Sequence, residues 1–377
     1  MPPDFHLITQ QPELEELTTH LRNVGTIALD TEADSLHSYR QKVCLIQIGA
    51  GDGIWLIDTL ADLDVTPLLE VLAQRPLLLH GADYDLRMLH HDYGFEPDRV
   101  FDTMIAAQLL GREHLGLAAL VLHYCEVELP KSGQRADWSA RPIPEQLLRY
   151  AADDVRYLPV VQERLRAELI QHDRLAWHEE TCQRLLSETR VPREVAPDPW
   201  RIKGGRHFTG RAAAVLRELW RWRDRIAERL NRPGFKVANN PFLIQWAQWI
   251  DAHPDATFDD APERPAWLRG ARRESFEEAL ATALTLPKSA WPHRTRPTQN
   301  RLRMSDPQKK RLDALIATRD RVAAQIKIEP GILAPRDKLI QTICEENRPS
   351  DFKDAAPPLM NWQREHLALD RDDPPSS

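Results

Sequence analysis

Acidic side chains in the first part of the chain are spaced so that they could bind metal ions. In the segment IALDTEAD, Asp30 and Glu32 are two residues apart at the end of a predicted strand. The period of two in a strand places both carboxylates on one face and Thr31 on the other. Asp85, in LLLHGADYDLRML, adds a carboxylate just past a second strand, in the first turn of a predicted helix. An aspartate there can also simply complement the helix dipole, a role that Asp83 fits better.

The segment LRYAADDVRYL (148–158) supplies a fourth carboxylate and a phenol. Tyr150 and Asp154 are four residues apart on a predicted helix, so their side chains share one helix face. Asp153 points elsewhere and is expected to face solvent. With an unperturbed pKa of about 10, Tyr150 is a poor general base at neutral pH. We therefore interpret its hydroxyl as the hydrogen-bond partner that orients an attacking water.

Four carboxylates from separate segments would repel one another strongly if they met in an empty pocket. Two divalent cations neutralise such a cluster, and ligands that are all oxygen suit Mg²⁺ or Mn²⁺. Two such ions about 4 Å apart hold the attacking and leaving oxygens during phosphodiester hydrolysis. The residues therefore predict a two-metal nuclease with Asp30, Glu32, Asp85 and Asp154 as ligands.

Predicted strands mixed with predicted helices indicate an α/β layer structure around these side chains. Short apolar runs rich in Val and Ile predict strands over 26–30, 43–49, 53–58 and 76–81. Helical periodicity predicts helices over 12–24, 66–74, 83–94 and 102–111, with Gly94 and Gly111 at the C-caps. The first three strands are expected to form an antiparallel meander. A long helical pattern covers 144–172, which Pro159 should bend or divide.

Length and charge divide the chain into parts. A chain of 377 residues predicts two or three domains. Residues 1–198 hold 18 Lys+Arg against 33 Asp+Glu, whereas residues 199–325 hold 25 against 14. The segment VPREVAPDPW (191–200), with three prolines, is a predicted linker between them. An acidic front and a basic middle fit a cation-binding site joined to a polyanion-binding part, although both could be merely solvated surfaces.

An internal repeat follows the linker. Residues 216–247 align without a gap to residues 312–343, an offset of 96 residues. Helical periodicity alone would explain the matched apolar residues. It does not explain the shared Arg-Asp-Arg at 223–225 and 319–321 or the matched turn. We therefore predict two divergent copies of one small helical domain.

Several classes of protein are disfavoured by the composition. No apolar run is long enough to cross a bilayer, and the acidic N-terminus does not look like a signal peptide. The four cysteines have no C-x-x-C spacing, which fits reduced thiols in a cytoplasmic protein better than a zinc site or disulfides. No obvious oligomerisation stripe is present, which favours a monomer.

Candidate nucleic-acid contacts surround the acidic motifs. The segment LPKSGQRADWSARP offers Lys131 and Arg135 for phosphates and Trp138 for base stacking. Trp138 could equally anchor a surface loop in the core, and His80 could be a structural histidine rather than a substrate contact. Further along, residues 201–236 carry 11 Lys+Arg against 3 Asp+Glu, and residues 294–311 carry 7 against 1. These stretches are predicted to hold RNA outside the catalytic domain.

The motifs D-x-E, H-G-A-x-x-D and Y-x-x-x-D, in this order, resemble those of the tyrosine-bearing branch of the DEDD exonuclease superfamily. Within that branch they are most similar to the ribonuclease D family. The segments FDTMIAAQLLG and KSGQRADWSARPIPEQLLRYAADDVRYL are similar to that family's connecting segments. The stretch after Glu32, ADSLHSYR, is more similar to the nuclear-exosome relatives. The helical repeats, and PPLMNWQREHL near the C-terminus, resemble helicase-and-ribonuclease-D C-terminal (HRDC) modules.

The resemblance implies a ribonuclease H-like (DnaQ-like) α/β exonuclease domain with a mixed sheet, followed by two all-α HRDC-like domains. We expect these domains at 1–195, 206–288 and 300–370. It also implies catalytic roles for five residues: Asp30, Glu32, Asp85, Tyr150 and Asp154. The expected activity is 3′-5′ hydrolysis of RNA, including tRNA precursors and other small structured RNAs, with release of nucleoside 5′-monophosphates. The alternatives are a 3′-5′ DNA exonuclease of the same superfamily and a catalytically inactive RNA-binding scaffold.

Overall fold

A mixed sheet of six strands forms the centre of the first part of the chain, in the spatial order β1-β4-β3-β2-β5-β6. The computed structural model describes residues 4–130, 133, 135–192, 197–261, 264–293, 304–345 and 357–369. The strands are β1 (His6–Ile8), β2 (Ile27–Ala33), β3 (Val43–Ala50), β4 (Gly53–Asp58), β5 (Pro76–Leu79) and β6 (Arg99–Asp102). Strands β2, β3 and β4 form the predicted antiparallel meander, while β1, β5 and β6 each pair in parallel with a neighbour.

Helices cover both faces of this sheet. They are α1 (Gln11–Leu21), α2 (Thr66–Ala73), α3 (Asp83–Tyr93), α4 (Thr103–Leu109), α5 (Leu117–Cys125), α6 (Glu145–Arg156), α7 (Leu158–Gln171) and α8 (Leu175–Thr189). Helices α1, α2 and α3 contribute to one buried cluster on one face, and α6 contributes to another on the opposite face. The long predicted helix is divided as Pro159 suggested, because proline lacks an N–H and is accommodated in the first turn of α7.

Among the described residues, the sequence interpretation did not delimit strands β1 and β6 or helices α5 and α8 of this part of the chain. Strand β1 has three residues, of which His6 and Leu7 are exposed, and β6 has four. Neither is long enough to show the alternation that identifies a strand. Helix α5 begins at Leu117 without a side-chain cap, so it lacks the usual start signal.

The described residues pack into two compact units. The first comprises those within 1–33, 43–192 and 302–377, and the second those within 34–42 and 193–301. The second unit contains α9 (Gly210–Arg229), α10 (Gly234–Val237), α11 (Asn240–Ala252) and α12 (Ala271–Thr285). Its core is strongly aromatic and includes Trp222, Trp246 and Phe276. The short segment 34–42 joins this unit through Tyr39, whose hydroxyl donates to Asp224 Oδ1 at 3.1 Å.

The last helices belong to the first unit. They are α13 (Asp306–Ile326), α14 (Pro330–Leu333), α15 (Arg336–Glu345) and α16 (Asn361–His366). Their apolar side chains share one buried cluster with residues of α4, α5 and α7. Gly111 adopts a left-handed conformation with φ +70°, as its predicted C-cap role requires, and a Cβ there would lie 1.9 Å from the carbonyl oxygen of Lys327. The packing thus gives two units, whereas the sequence predicts three domains whose limits at 195, 300 and 370 lie outside the described residues.

The internal repeat is visible in the helix boundaries. Helices α9, α10 and α11 begin 96 residues before α13, α14 and α15, respectively. The shared arginine also makes the same contact in both copies. Arg223 Nη1 donates to the Ala238 carbonyl at 3.2 Å, and Arg319 Nη1 donates to the Ala334 carbonyl at 3.1 Å. Within the described residues, no helix has the length and apolarity needed to cross a bilayer.

Candidate active site

Three of the predicted ligands meet at one point. Asp30 and Glu32 extend from β2, Asp154 extends from α6, and one carboxylate oxygen from each lies within 4.8 Å of the others. The alternation of the strand places Thr31 on the opposite face, where it is buried. The oxygen donors are of the type that Mg²⁺ and Mn²⁺ prefer, so the chemistry of this set fits the predicted cations.

The fourth predicted ligand, Asp85, is held beside this cluster by a neighbour of the first two. Its side chain is buried in the first turn of α3, and Oδ1 accepts a hydrogen bond from the Thr31 hydroxyl at 2.6 Å. Burial raises the pKa of Asp85 to about 6, and the hydrogen bond from Thr31 opposes that rise. Asp85 in turn helps to raise the pKa of Asp30. Its oxygens nevertheless lie outside the group of three that share the 4.8 Å limit.

The carboxylates of the cluster strongly disfavour simultaneous ionisation. Burial, with help from the neighbouring carboxylates, raises the pKa of Glu32 to about 9 and that of Asp154 to about 7. The pKa of Asp30 lies well above its usual range for the same reasons. Protons or cations must therefore compensate these negative charges, since buried like charges are costly alone.

Tyr150 lies one turn before Asp154 on α6, as the spacing predicts. Its hydroxyl makes a hydrogen bond with Asp154, and burial together with the nearby carboxylates raises the pKa of the phenol. The phenol therefore keeps its proton at neutral pH and can act as a donor. Its ring packs against Trp138 with a centroid separation of 6.3 Å. Gly133 also approaches the ring so closely that a Cβ there would lie 2.5 Å from Tyr150 Cδ1.

A cavity of about 710 Å³ opens next to the cluster. The carboxylates, Tyr150 and His80 line one side. The remaining lining is mostly apolar and comes from the start of α5 and the segment after it, including Leu117, Leu122, Leu129 and Pro130. The cavity therefore combines an acidic region, suited to cations and phosphate, with an apolar wall suited to a base.

The candidate nucleic-acid contacts have different outcomes. His80 lines the cavity, so the structure places it where a substrate could reach it. Arg135 is exposed, and Lys131 lies outside the described residues. Trp138 is only 2% exposed and packs in the cluster between the sheet and α6. The prediction that Trp138 stacks on a base is corrected by this burial, which leaves no ring face accessible and supports the alternative core role.

Sequence reasoning missed Gln47. This residue is fully buried in β3, directly opposite Asp30 on β2, and neither amide atom has a hydrogen-bond partner among the described residues. A buried amide without a partner is costly, so it is uncommon away from functional sites. The signal was a single glutamine inside the apolar run VCLIQIG (43–49).

Comparisons with known proteins relate this chain to exonucleases. A family model described as 3′-5′ exonuclease matches residues 5–170. Ribonuclease D of Pseudomonas paraeruginosa is 30% identical over 377 aligned residues, covering 97% of this chain and 96% of the relative. Exosome complex component 10 of Mus musculus is 31% identical over 66% of this chain, although the match covers only 29% of that protein.

A solved structure is similar over the same length. The Escherichia coli RNase D structure, described as that of an exoribonuclease involved in structured RNA processing, has a TM-score of 0.71 and 28% identity. That similarity covers 97% of each chain. The mixed α/β sheet and the matched family model define the first part of this chain as a ribonuclease H-like 3′-5′ exonuclease domain. The full-length similarity is more specific. The chain belongs to the ribonuclease D family and is an exoribonuclease of that type.

Proposed function

We propose that this enzyme removes nucleotides one at a time from the 3′ end of RNA and releases nucleoside 5′-monophosphates by two-metal catalysis. The observation that carries the proposal is the convergence of Asp30, Glu32 and Asp154 within 4.8 Å, beside Asp85. The proposed ligands of two divalent ions, Mg²⁺ or Mn²⁺, are these four carboxylates. When bound, such ions would polarise the phosphate and stabilise charge on the attacking and leaving oxygens.

The protein groups have distinct proposed roles in this reaction. Tyr150 keeps its proton because its pKa is raised, so its hydroxyl can hold the attacking water in line with the phosphorus without removing a proton from it. Asp154 accepts a hydrogen bond from Tyr150 and thereby links the phenol to the ligand cluster. The apolar wall formed by Leu117, Leu122 and Leu129 would exclude water from one side of the terminal base.

The proposed cellular role is trimming of tRNA precursors and other small structured RNAs with accessible 3′ ends. Similarity to an Escherichia coli enzyme described as acting in structured RNA processing supports this role. We also propose that the two helical repeats are HRDC-like domains, at 206–288 and 300–370, which the matched helix starts support. Cytoplasmic location and a monomeric state stay predictions from the sequence.

The decisive test is a time course with a 3′-extended tRNA, with and without EDTA. We expect nucleoside 5′-monophosphates to accumulate from the first time points, EDTA to stop their release, and excess Mn²⁺ to restore it. A DNA strand of matched sequence tests the alternative DNA exonuclease, which would degrade it at least as fast. Internal cleavage products, or release that is insensitive to EDTA, would contradict the proposal.

Exposed arginines of the second unit are proposed to bind RNA phosphates outside the catalytic domain. Arg225, Arg229 and Arg232 are exposed at the end of α9 and just after it. Deleting the whole C-terminal region would be a poor test, because α13–α15 share a buried cluster with α4, α5 and α7. Point substitutions avoid that difficulty.

Replacing Arg225, Arg229 and Arg232 together with glutamine is expected to weaken binding of a structured RNA and to make it less sensitive to salt. Each lost phosphate contact should reduce the slope of log K against log[salt] by about 0.7–0.9. The measurement is filter binding at several salt concentrations with catalysis blocked by Ca²⁺. The control carries the same charge change at the exposed residues Arg22, Arg164 and Arg166 of the first unit. Equal effects in the two triple variants would show that only net charge matters.

A further inference from the structure

His80 has a hydrogen-bonding arrangement that fixes what its ring can offer to a ligand. The residue follows β5, and its Nδ1 lies 2.9 Å from the hydroxyl oxygen of Thr103. That hydroxyl also contacts the carbonyl oxygen of Leu79, at 3.1 Å. Thr103 is fully buried, so water does not compete for these contacts.

The two contacts of Thr103 determine the tautomer of His80. A carbonyl oxygen can only accept, so the single proton of the Thr103 hydroxyl must point to Leu79. The hydroxyl oxygen then accepts from His80, which places the ring proton on Nδ1. Burial lowers the pKa of His80, although Asp102 opposes the shift, and the imidazole is therefore neutral at physiological pH. In this form Nε2 carries no proton and is a hydrogen-bond acceptor.

The acceptor Nε2 is available to a ligand in the catalytic cavity. Among the described residues no group donates to it, and His80 lines the cavity together with Asp30 and Glu32. Strands β2 and β5 are parallel, with Ala28 opposite Leu78. Strand β5 ends at Leu79, so His80 comes directly after it, and its side chain lines the same cavity as Asp30 on β2.

The position of His80 in the cavity indicates which part of a bound nucleotide its side chain would contact. The terminal phosphodiester has to reach the carboxylate cluster, and the apolar wall suits the base. The ribose connects the two and therefore lies within the cavity that His80 lines together with the carboxylates. The hydroxyl groups of a ribose are donors, which an acceptor in this position would bind. The other polar side chains that line the cavity are mostly carboxylates.

We propose that His80 Nε2 accepts a hydrogen bond from the 2′-hydroxyl of the 3′-terminal nucleotide, so that this histidine makes the enzyme prefer an RNA end over a DNA end. This inference rests on the proposed function and deepens it. Hydrolysis itself would not require the contact, because the carboxylate cluster makes no distinction between the two sugars. The 2′-hydroxyl is the group that distinguishes RNA from DNA at a given position.

The test uses one RNA oligonucleotide in three forms that differ only at the 3′-terminal sugar: ribose, 2′-deoxyribose and 3′-deoxyribose. For the wild type, we expect kcat/KM for release of the first nucleotide to fall about tenfold when the 2′-hydroxyl is missing. In His80→Asn, which retains a polar group near Thr103 but has no acceptor at the position of Nε2, the ratio of ribose to 2′-deoxyribose should approach one. In His80→Gln, whose side chain can place an oxygen near that position, part of the ratio should return.

Two controls separate this role from a structural one. His123→Asn, at an exposed histidine of α5 outside the cavity lining, should keep the wild-type ratio. Thr103→Val removes the acceptor that fixes the His80 tautomer and should give an intermediate ratio, which provides a second route to the answer if a His80 variant folds poorly. Inhibition by adenosine 5′-monophosphate and its 2′-deoxy analogue gives a binding readout, in which only the wild type should favour the ribose form.

The outcomes distinguish this inference from the proposed function. An unchanged ratio in His80→Asn, or a wild type that ignores the terminal 2′-hydroxyl while still releasing nucleotides, would overturn the role of His80 alone. A loss of discrimination against the 3′-deoxy substrate instead would assign His80 to the other hydroxyl and would also overturn the proposal. Failure of the wild type to release any nucleotide would count against the proposed function.

Discussion

Replacing Asp154 with asparagine is expected to lower kcat for nucleotide release by about 10³-fold, whereas the same change at the adjacent Asp153 should cost less than about threefold. Asp154 contributes an oxygen to the cluster with Asp30 and Glu32 and interacts with Tyr150. Asp153 pairs with Arg156 at 2.9 Å and lies outside the group of three carboxylates, although it is half-buried and lines the cavity, so the prediction that it faces solvent is wrong. The two substitutions remove the same charge from neighbouring positions, so a large difference between them isolates the proposed metal ligand from general electrostatics.

The measurement is the initial rate of mononucleotide release at saturating Mn²⁺, with Mn²⁺ affinity determined separately by electron paramagnetic resonance. Asp154→Asn should bind Mn²⁺ more weakly, while Asp153→Asn should bind it as the wild type does. Tyr150→Phe in the same series should reduce kcat by about 10²-fold with little change in Mn²⁺ affinity, since the phenol is proposed to orient water. Mn²⁺-dependent release that survives in Asp154→Asn would remove this site from the mechanism.

The metal-free wild type is expected to become less stable, relative to Asp154→Asn, as the pH rises from about 5 to about 8. The carboxyl groups of Asp85, Asp154 and Glu32 have folded-state pKa values of about 6, about 7 and about 9. These values lie above those of an unfolded chain, so the folded protein binds more protons in this range. The stability that the protonated groups contribute is fully present below about pH 4 and is lost as the pH rises through the folded-state values.

Asp154→Asn removes one of these ionisations, so the metal-free variant should be more stable than the wild type at pH 8 by on the order of 2 kcal/mol. For a chain of 377 residues, that difference corresponds to a melting temperature higher by about 2–3 °C in EDTA. Mn²⁺ should reverse the order, because it stabilises the folded wild type more than the variant. The check is thermal unfolding of both proteins at pH 5 and pH 8, in EDTA and in Mn²⁺. The prediction would be wrong if, in EDTA, the melting temperature of Asp154→Asn fell relative to that of the wild type as the pH rose.

The catalytic motifs and the strands and helices that carry them could be predicted from the sequence because strand and helix periodicity are local rules. Strand alternation is strict, so the spacing of Asp30 and Glu32 is enough to assign them to a common face. Helical periodicity likewise places Tyr150 and Asp154 together. Both rules act over a few residues, and four of the six strands are long enough or apolar enough to show the pattern.

The remaining features depend on packing between distant segments, which local patterns do not report. The burial of Trp138 follows from its position between the sheet and α6. The partnerless amide of Gln47 has meaning only because the register places it opposite Asp30. Asp85 is held beside the other carboxylates by a hydrogen bond from Thr31, which is 54 residues earlier in the chain. The inclusion of α13–α15 in the first unit depends on apolar contacts with residues more than a hundred positions earlier.

The arginine contact shared by the two helical repeats has an evolutionary implication. Arg223 and Arg319 each donate to the backbone carbonyl at the end of the next short helix, α10 or α14. One copy nevertheless has its own aromatic core, and the other shares its core with the exonuclease helices. A duplicated segment whose turn is secured internally can change its outer surface without losing its shape. One copy could therefore become part of the catalytic body while its sibling kept an independent interior, and later divergence of their sequences would leave the hairpin intact.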